Sequence, residues 1–516
     1  MRSMLKDLGM KAKAIHACEN HCILYYEENE DSVECPVCKT MRFKLKSTKD
    51  DRAQVSSEYM RHPINSSQWA QMKMKFPLFA AEGRNVWLGI STYGFNPHGV
   101  QTLSWSCLPV ILVVYNIPPS MCMKSEFQMM TLLIPGRVFY SESNSDVGIH
   151  DLPAQGVLSG CTTHGYCACV CCTDETRSTH LGYGIKIVYT NYRIFLKKSA
   201  PLGLIGAQSL EKFADVHYEP GKLVVRDTGK QKRYQYDEEE GDSELVTGAF
   251  FKKCILWELE SYFALTIWHC VDVMHTEKNV MEHIIYTIFD KDNKAIVAWN
   301  NRDKLKENKL NCGEWKEKKT KKGVEMVLLF VLSKKEKTDF CQILKDLKFP
   351  TGFSSNISKN VNMEQLNLSI LKSHDYHVIM GYLLPVLLQH AFPGEKDLHT
   401  ALQQVSLYFR ILCLKVVSRE YLNQAKWMIA EAMYVLEKYF PAGFFDISVH
   451  NMVHLADEAL VCGPVRYRWM YPFERAMKEC KNIPNNNRYI EGSITKSTEM
   501  DECVIFDMEH MKNADQ

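Results

Sequence analysis

The stretch "LGISTYGFNPHG", residues 88–99, places an apolar run directly before a turn rich in glycine, asparagine and proline. A second apolar run, "LPVILVVYNI" at 108–117, follows shortly after it and is rich in β-branched side chains. Short β-branched and aromatic runs that are separated by turn residues predict strands. We therefore expect "NVWLGIST", "QTLSWSC" and "PVILVVYNI" to form an antiparallel meander, with Tyr93 where its first strand ends.

The composition is that of a globular protein with no strong charge bias. The 516 residues suggest two to four domains or one elaborated domain. With 62 basic and 61 acidic residues, any nucleic-acid surface has to be a local patch. The run at 108–117 is about half the length that crosses a bilayer, and the N-terminus lacks the apolar core of a secretory signal. We expect no membrane segment, a reducing compartment, and cysteines that serve as metal ligands or free thiols.

Beyond residue 335 the apolar pattern becomes helical. The segment "YLNQAKWMIAEAMYVLEKYF" puts its apolar side chains on one face at helical spacing, which predicts an amphipathic helix. The lysine-rich "KEKKTKKG" at 316–323 is more typical of a solvated loop than of a phosphate site. The residues of the predicted apolar face are Leu422, Ala425, Ile429, Ala432, Met433, Leu436 and Phe440.

Four cysteines near the N-terminus have the spacing of a zinc ribbon. Cys18, Cys22, Cys35 and Cys38 form two close pairs separated by a dozen residues. Two such knuckles can supply four thiolates to one tetrahedral zinc ion. This zinc would be structural, because four thiolates leave no open position for catalysis. The alternative is four unrelated thiols.

A second cysteine group is more ambiguous. In "GYCACVCCTD", Cys169 and Cys172 have the C-x2-C spacing of a metal-binding knuckle. About a hundred residues later, "WHCVDVMHTEKNV" offers His269 and His275, which could complete a Cys2His2 site. The alternative is that these histidines are ordinary core or surface residues.

Several longer phrases resemble one protein family. The chain is similar to the transposases of plant CACTA (En/Spm-type) DNA transposons over most of its length. The resemblance implies a nuclear protein with DNA transposon ends as its ancestral partner, and homo-oligomers or other element-encoded proteins as possible partners. The similar phrases are "IHACENHCILY", "CPVCKTMRFK", "PVILVVYNIPPSMCMKSEFQMMTLLIPG", "LKSHDYHVIM", "FFDISVHNMVHLADEA", "GPVRYRWMYPFER" and "EGSI".

The resemblance also implies a fold of mixed α+β and α/β character. We expect a degraded ribonuclease H-like core with a large insertion, an N-terminal zinc ribbon and a mostly helical C-terminal part. The implied domains are a zinc-ribbon-like unit at 1–45, the first part of the core at 46–160, an insertion with the Cys2His2 site at 161–335, and a helical region at 336–516. The core is called degraded because the short polar segment "RVFYSESNSDVGIHD" stands where relatives have a longer apolar strand.

In active relatives, three acidic residues of this core hold two Mg²⁺ ions that activate water or a DNA 3′-hydroxyl. The family's phrase "LSTDGFNP" stands here as "ISTYGFNP", which puts Tyr93 at the position of the first acid. The second acid corresponds to Asp151 in "HDLPAQGVLSG", and the third to Glu474 in "RWMYPFER" or, as the alternative, to Glu277 in "MHTEKN". A tyrosine with a pKa of about 10 is neutral at physiological pH and is a poor Mg²⁺ ligand.

Three functional hypotheses follow. The first is an active cut-and-paste transposase, which needs all three acids. The second, which the tyrosine and the shortened core favour, is a catalytically inactive relative that keeps its structural zinc, does not hold Mg²⁺, and binds DNA weakly or no longer. The third is an unrelated, zinc-stabilised module that binds nucleic acid or protein without catalysis.

Overall fold

The structure is a computed structural model of the chain. It describes residues 58–97, 105–137, 159–163, 165–181, 186–201, 255–291, 310–311, 313–320, 323–349, 353–354, 356–369, 371–483 and 489–514, together with 18, 27–29, 32–37, 39, 203, 208, 211 and 305.

The described residues form short sheets and a larger helical part. The strands are β1 (Tyr59–Met60), β2 (Leu88–Thr92), β3 (Trp105–Val114), β4 (Gln128–Arg137), β5 (Thr179–Leu181), β6 (Lys186–Val188), β7 (Trp315–Thr320), β8 (Gly323–Leu328), β9 (Val361–Asn362), β10 (Asn367–Leu368) and β11 (Val417–Ser418). The helices are α1 (Ser67–Lys75), α2 (Pro77–Ala81), α3 (Glu260–Phe263), α4 (Val273–Ile288), α5 (Lys334–Asp346), α6 (Ser373–Val378), α7 (Leu384–Leu387), α8 (Lys396–Leu412), α9 (Arg419–Tyr439), α10 (Ile447–Cys462), α11 (Tyr471–Asn482) and α12 (Ile490–Ala514).

An antiparallel sheet in the order β2-β3-β4 follows α2. Thr92, the last residue of β2, pairs with Val110 of β3, so Tyr93 leaves the sheet at the edge where β2 ends. The meander is present, but its strand boundaries differ from the predicted ones. The pieces predicted as the second and third strands belong to one strand, β3, and the third strand is β4. Pro109 interrupts the apolar run without ending the strand, because it lies beside a bulge at Val110, where a missing ladder donor is tolerated.

The C-terminal half is helical, as the periodicity predicts. Helices α8, α9 and α10 pack against one another and form much of the main hydrophobic core. Helix α9 begins at a Ser418 cap, where the Ser418 hydroxyl accepts a hydrogen bond from the Tyr421 N–H. The prediction of its apolar face is confirmed, because all seven predicted side chains are buried: Leu422, Ala425, Ile429, Ala432, Met433, Leu436 and Phe440.

The lysine-rich segment is not a loop. Residues 315–320 and 323–328 pair as the antiparallel hairpin β7-β8, with Lys318 opposite Glu325 and Thr320 opposite Gly323. The prediction of a loop from charge alone was wrong, because the pairing partner "GVEMVL" supplies the β-branched and apolar residues that the lysine-rich strand lacks.

Several predictions fall outside the described residues, among them those for Cys22, Cys38 and Asp151. The four domains, the zinc ribbon and the ribonuclease H-like core stay predictions. In the described part of the chain, no helix combines the length and the apolar character needed to cross a membrane.

Candidate functional site

Two cysteines and two histidines from distant parts of the chain meet in one buried cluster. Cys169 Sγ lies 3.3 Å from His454 Nε2, and Cys172 Sγ lies 3.4 Å from the Nε2 atoms of both His450 and His454. The two Nε2 atoms are themselves 3.4 Å apart. All four residues are buried, and their ligand atoms lie within 4.8 Å of one another. We call this set the Cys2His2 cluster.

Local structure aims these four side chains at one point. The Cys172 N–H donates a hydrogen bond to Cys169 Sγ at 3.3 Å, which closes the C-x2-C segment into a knuckle. His450 and His454 lie on α10 with the four-residue spacing that places two side chains on one helical face. His454 Nδ1 lies 2.9 Å from the carbonyl oxygen of Pro201, to which it can donate a hydrogen bond that turns Nε2 towards the thiols.

The electrostatics of the cluster favour the thiolate form of Cys169, whereas the hydrogen bond to Cys169 and burial raise the pKa of Cys172. Burial by itself would raise the pKa of the Cys169 thiol, but hydrogen bonds from Cys171 and Cys172 and the neighbouring histidines hold this pKa well below its usual range. The pKa of His454 is raised, because the negative charge of Cys169 outweighs the opposing effect of burial. A thiolate is the form of cysteine that ligates metals.

The distances fit a tetrahedral ion. Bonds of about 2.3 Å to sulfur and about 2.0 Å to nitrogen leave neighbouring ligand atoms about 3.3 to 3.8 Å apart. The sulfur–nitrogen and nitrogen–nitrogen distances of 3.3 to 3.4 Å lie at the lower end of this range. The Cys2His2 cluster could therefore bind a metal such as zinc with little rearrangement, and four protein ligands would leave no open position.

The sequence predicted the cysteines of this cluster together with different histidines. His269 packs edge-to-face against Trp268, with ring centroids 4.7 Å apart, and His275 hydrogen-bonds Asp272. His450 and His454 meet the two cysteines instead, across 278 to 285 residues of sequence. Spacing along the chain cannot reveal such a partner, but the signal "HNMVH", two histidines four residues apart on one helical face, was present in the sequence.

A second group forms where β2 ends. The rings of Tyr93 and His275 are nearly parallel, with centroids 5.9 Å apart and an interplanar angle of 15°. His275 Nδ1 hydrogen-bonds the Asp272 carboxylate, and its Nε2 lies 3.5 Å from Glu474 Oε1. Tyr93 and Glu474, two of the three positions implied by the resemblance, therefore flank one histidine. The third position, Asp151, lies outside the described residues.

The helices bring the acidic members of this group together. Asp272 is the N-cap of α4 and accepts a hydrogen bond from the Met274 N–H at 2.9 Å, while Glu474 lies in the first turn of α11. Burial raises the pKa of Glu474, and the Asp272 carboxylate adds to this effect, whereas the charge on His275 opposes it.

The alternative third acid, Glu277, makes a different contact. It is buried, and its Oε2 lies 2.8 Å from His377 Nδ1 on α6. The pKa of His377 is raised to about 12, because the charge of Glu277 outweighs the effect of burial. Of the two alternatives, Glu474 is the one that shares His275 with Tyr93.

Two of the four N-terminal cysteines are described. Cys18 and Cys35 are both buried, at 2% and 0% exposure. Because Cys22 and Cys38 lie outside the described residues, the tetrathiolate site stays a prediction.

Two protein-family models match parts of the chain. Residues 57–147 and 146–225 match the model of the transposase family tnp2. This part of the chain, about a third of its length, is similar to a transposase family. Residues 412–516 match a domain of unknown function (DUF4218), which spans α9 to α12 and includes His450, His454 and Glu474. No curated protein and no solved structure matches the chain.

Proposed function

We propose that this chain derives from a transposase of the CACTA (En/Spm-type) class of plants and has lost DNA cleavage and strand transfer. The observation that carries the proposal is the group around His275, in which a tyrosine ring and the Glu474 carboxylate face the same imidazole. A first acid at position 93 would add a carboxylate to those of Asp272 and Glu474 around His275. The phenol puts a neutral ring there instead.

This residue set does not fit a pair of Mg²⁺ ions. Magnesium takes hard, anionic oxygen ligands at about 2.0 to 2.1 Å in near-octahedral geometry. Tyr93 is neutral at physiological pH and bulkier than aspartate, so it removes a charge from the site and fills the space that an ion or its waters need. We therefore expect no metal-dependent cleavage by the chain as it stands.

The Cys2His2 cluster has a structural role in this proposal. Its four residues hold a zinc ion that joins the 169–172 knuckle to α10 and so ties the inserted region to the C-terminal helices. Zinc supplies folding free energy here and no open coordination position. From the family likeness we also propose that the ancestral ligand was the DNA of transposon ends, that the protein is nuclear, and that it self-associates.

The decisive experiment compares the unmodified chain with Tyr93→Asp and with Tyr93→Phe as the matched control. Each purified protein is incubated with Mg²⁺ or Mn²⁺ and a DNA that carries the terminal repeats of a related element, and nicked and joined products are counted. We expect no products from the unmodified chain or Tyr93→Phe. Partial activity is expected from Tyr93→Asp, because the segment before Asp151 is also shortened.

Circular dichroism of all three proteins separates loss of chemistry from loss of fold. Robust cleavage by the unmodified, folded chain would overturn the proposal of an inactive enzyme. Equal Mg²⁺ affinities for the unmodified chain and Tyr93→Asp, measured by titration calorimetry, would contradict the role given to position 93.

A further inference from the structure

A second cluster of metal-binding side chains lies apart from the Cys2His2 cluster. Glu277 of α4, His377 of α6 and Cys413 at the C-terminal end of α8 offer one ligand atom each within 4.8 Å of one another. Glu277 is buried, whereas the other two are half-buried. These are a carboxylate, an imidazole and a thiol, three ligand types that zinc accepts together.

Helix geometry explains why this cluster is separate from the group around His275. Residues of an α-helix are about 100° apart around the axis, so Glu277 and His275, two positions apart, project in nearly opposite directions. His275 faces Tyr93 and Glu474, while Glu277 faces His377.

The Glu277 carboxylate has unused hydrogen-bonding capacity in a buried position. Its Oε2 accepts a hydrogen bond from His377 Nδ1 at 2.8 Å, whereas its Oε1 has no hydrogen-bond partner in the described part of the chain. Glu277 is only 2% exposed. A buried carboxylate oxygen without a partner costs free energy, and this cost points to a ligand that the carboxylate can bind.

The surroundings of the cluster restrict its geometry. The His377 ring lies 6.4 Å from the ring of Tyr471 and 6.2 Å from that of Tyr382, both nearly perpendicular to it. The helix after His377 opens into a π-helical turn at Ile379–Leu383. Such turns are rare and occur frequently at functional sites. Tyr471 begins α11, the helix that carries Glu474.

We propose that Glu277, His377 and Cys413 form a second zinc site. Zn²⁺ binding displaces the Nδ1 proton of His377 and the thiol proton of Cys413 into solvent. The anionic glutamate and cysteine then balance the charge of the ion, with the histidine neutral, in this poorly solvated position. Neighbouring ligand atoms of a tetrahedral site lie about 3.3 to 3.8 Å apart, so the 2.8 Å hydrogen bond widens by roughly 0.5 Å when the ion binds. Three protein ligands leave a fourth position for water or for an oxygen, nitrogen or sulfur atom of another molecule.

The test is the number of zinc ions held by the full chain. The protein is purified with zinc, dialysed without chelator, and measured by native mass spectrometry and by elemental analysis. Cys413→Ser and Glu277→Gln should each lose one zinc ion per chain relative to the unmodified protein. Cys341→Ser is the matched control, because Cys341 is a buried thiol of α5 outside both clusters, and it should lose none.

A cross-test separates this site from the Cys2His2 cluster. Cys172→Ser should lose one ion, and Cys172→Ser combined with Cys413→Ser should lose two. Cobalt substitution gives a second readout, since the sulfur-to-cobalt absorption near the ultraviolet should fall in Cys413→Ser and in Glu277→Gln and stay unchanged in Cys341→Ser.

Equal zinc content in the unmodified protein, Cys413→Ser and Glu277→Gln would overturn the proposal and leave a buried Glu277–His377 ion pair. If Cys413→Ser does not fold, Glu277→Gln decides alone, because it keeps the size and hydrogen bonding of the side chain and removes its charge. The number of bound zinc ions is measured without any DNA cleavage assay. The result therefore tests this zinc site independently of the proposed function.

Discussion

Replacing Cys172 with serine should remove the ion from the Cys2His2 cluster and destabilise the fold. Cys172 Sγ is the atom that approaches both histidines, at 3.4 Å from each. A serine hydroxyl is not deprotonated at neutral pH and binds zinc far more weakly than a thiolate. The remaining Cys169, His450 and His454 then form an incomplete site.

The expected loss of stability follows from the thermodynamic linkage between zinc binding and folding. Because the ligand atoms already lie close to tetrahedral distances, little rearrangement accompanies binding, and the free energy of binding appears as stability. With free zinc at 1,000 times Kd, the ion stabilises the folded state by about 4 kcal/mol. A thousandfold weaker site in the same zinc concentration contributes only about 0.4 kcal/mol, so the expected loss is about 4 kcal/mol.

Urea unfolding at fixed free zinc, followed by tryptophan fluorescence, measures this difference. The matched control is Cys171→Ser, because Cys171 is the buried neighbour of Cys172 but is not a member of the Cys2His2 cluster; its thiol contacts Glu458, at 3.8 Å, and hydrogen-bonds Cys169. A hydroxyl can make these contacts as well, so we expect Cys171→Ser to keep its zinc and most of its stability. Equal losses of stability and zinc in the two variants would refute the assignment of Cys172, and not Cys171, as a metal ligand.

Three further predictions concern the fold. Leu436→Ala, at a fully buried position of α9, should lower the free energy of unfolding, measured in urea, by about 3 to 5 kcal/mol. Tyr434→Ala, on the exposed face of the same helix, should change it by less than about 1 kcal/mol. Similar losses in the two variants would contradict the assigned helix face. Burial lowers the pKa of His62 to about 4, so the unfolded chain takes up a proton at this residue first as the pH falls, and the free energy of unfolding should drop by up to about 3 kcal/mol between pH 6.5 and 4. His62→Asn, which can still cap the following turn, should flatten this part of the curve of stability against pH. An unchanged slope in this variant would contradict the assignment of the pH dependence to His62. Gly463→Ala should lower the free energy of unfolding by about 1 to 2 kcal/mol, because the residue has φ +89 and its new Cβ would lie 3.3 Å from a backbone atom. Gly492→Ala, in a helix and with open space around it, should be neutral or stabilising. The midpoints of thermal unfolding compare the two variants directly.

Local patterns predicted the helical half of the chain well and the strand boundaries less well. The apolar face of α9 is visible in the sequence because the helical period repeats over many residues. The end of a strand has no such repeat. The run through Pro109 was therefore divided in two, and the partner strand β4, whose sequence "QMMTLLIPGR" has no alternation, was missed.

The candidate sites show the same division between local and distant information. The knuckle of Cys169 and Cys172 is a local pattern and was found from its spacing. Its histidine partners come from a helix almost three hundred residues away, and their identity depends on how α10 packs against the knuckle. The nearness of Tyr93 to Glu474 was expected from the family likeness, not from any pattern of spacing.

The arrangement around His275 depends on contacts that do not involve a carboxylate at position 93. Glu458 of α10 accepts hydrogen bonds from the Val271 N–H, at 3.1 Å, and from Arg468 Nη1, at 3.0 Å. Val271 lies just before Asp272, the cap of α4, and Arg468 lies just before α11.

Glu458 thus holds in place the two chain segments that lead to His275 and to Glu474. It lies on α10, the helix that also carries the histidines of the Cys2His2 cluster. The group keeps its geometry through these contacts, while metal-dependent chemistry needs every one of its anionic ligands. Substitution of a single acid can therefore abolish cleavage and leave the fold and the two candidate metal sites in place.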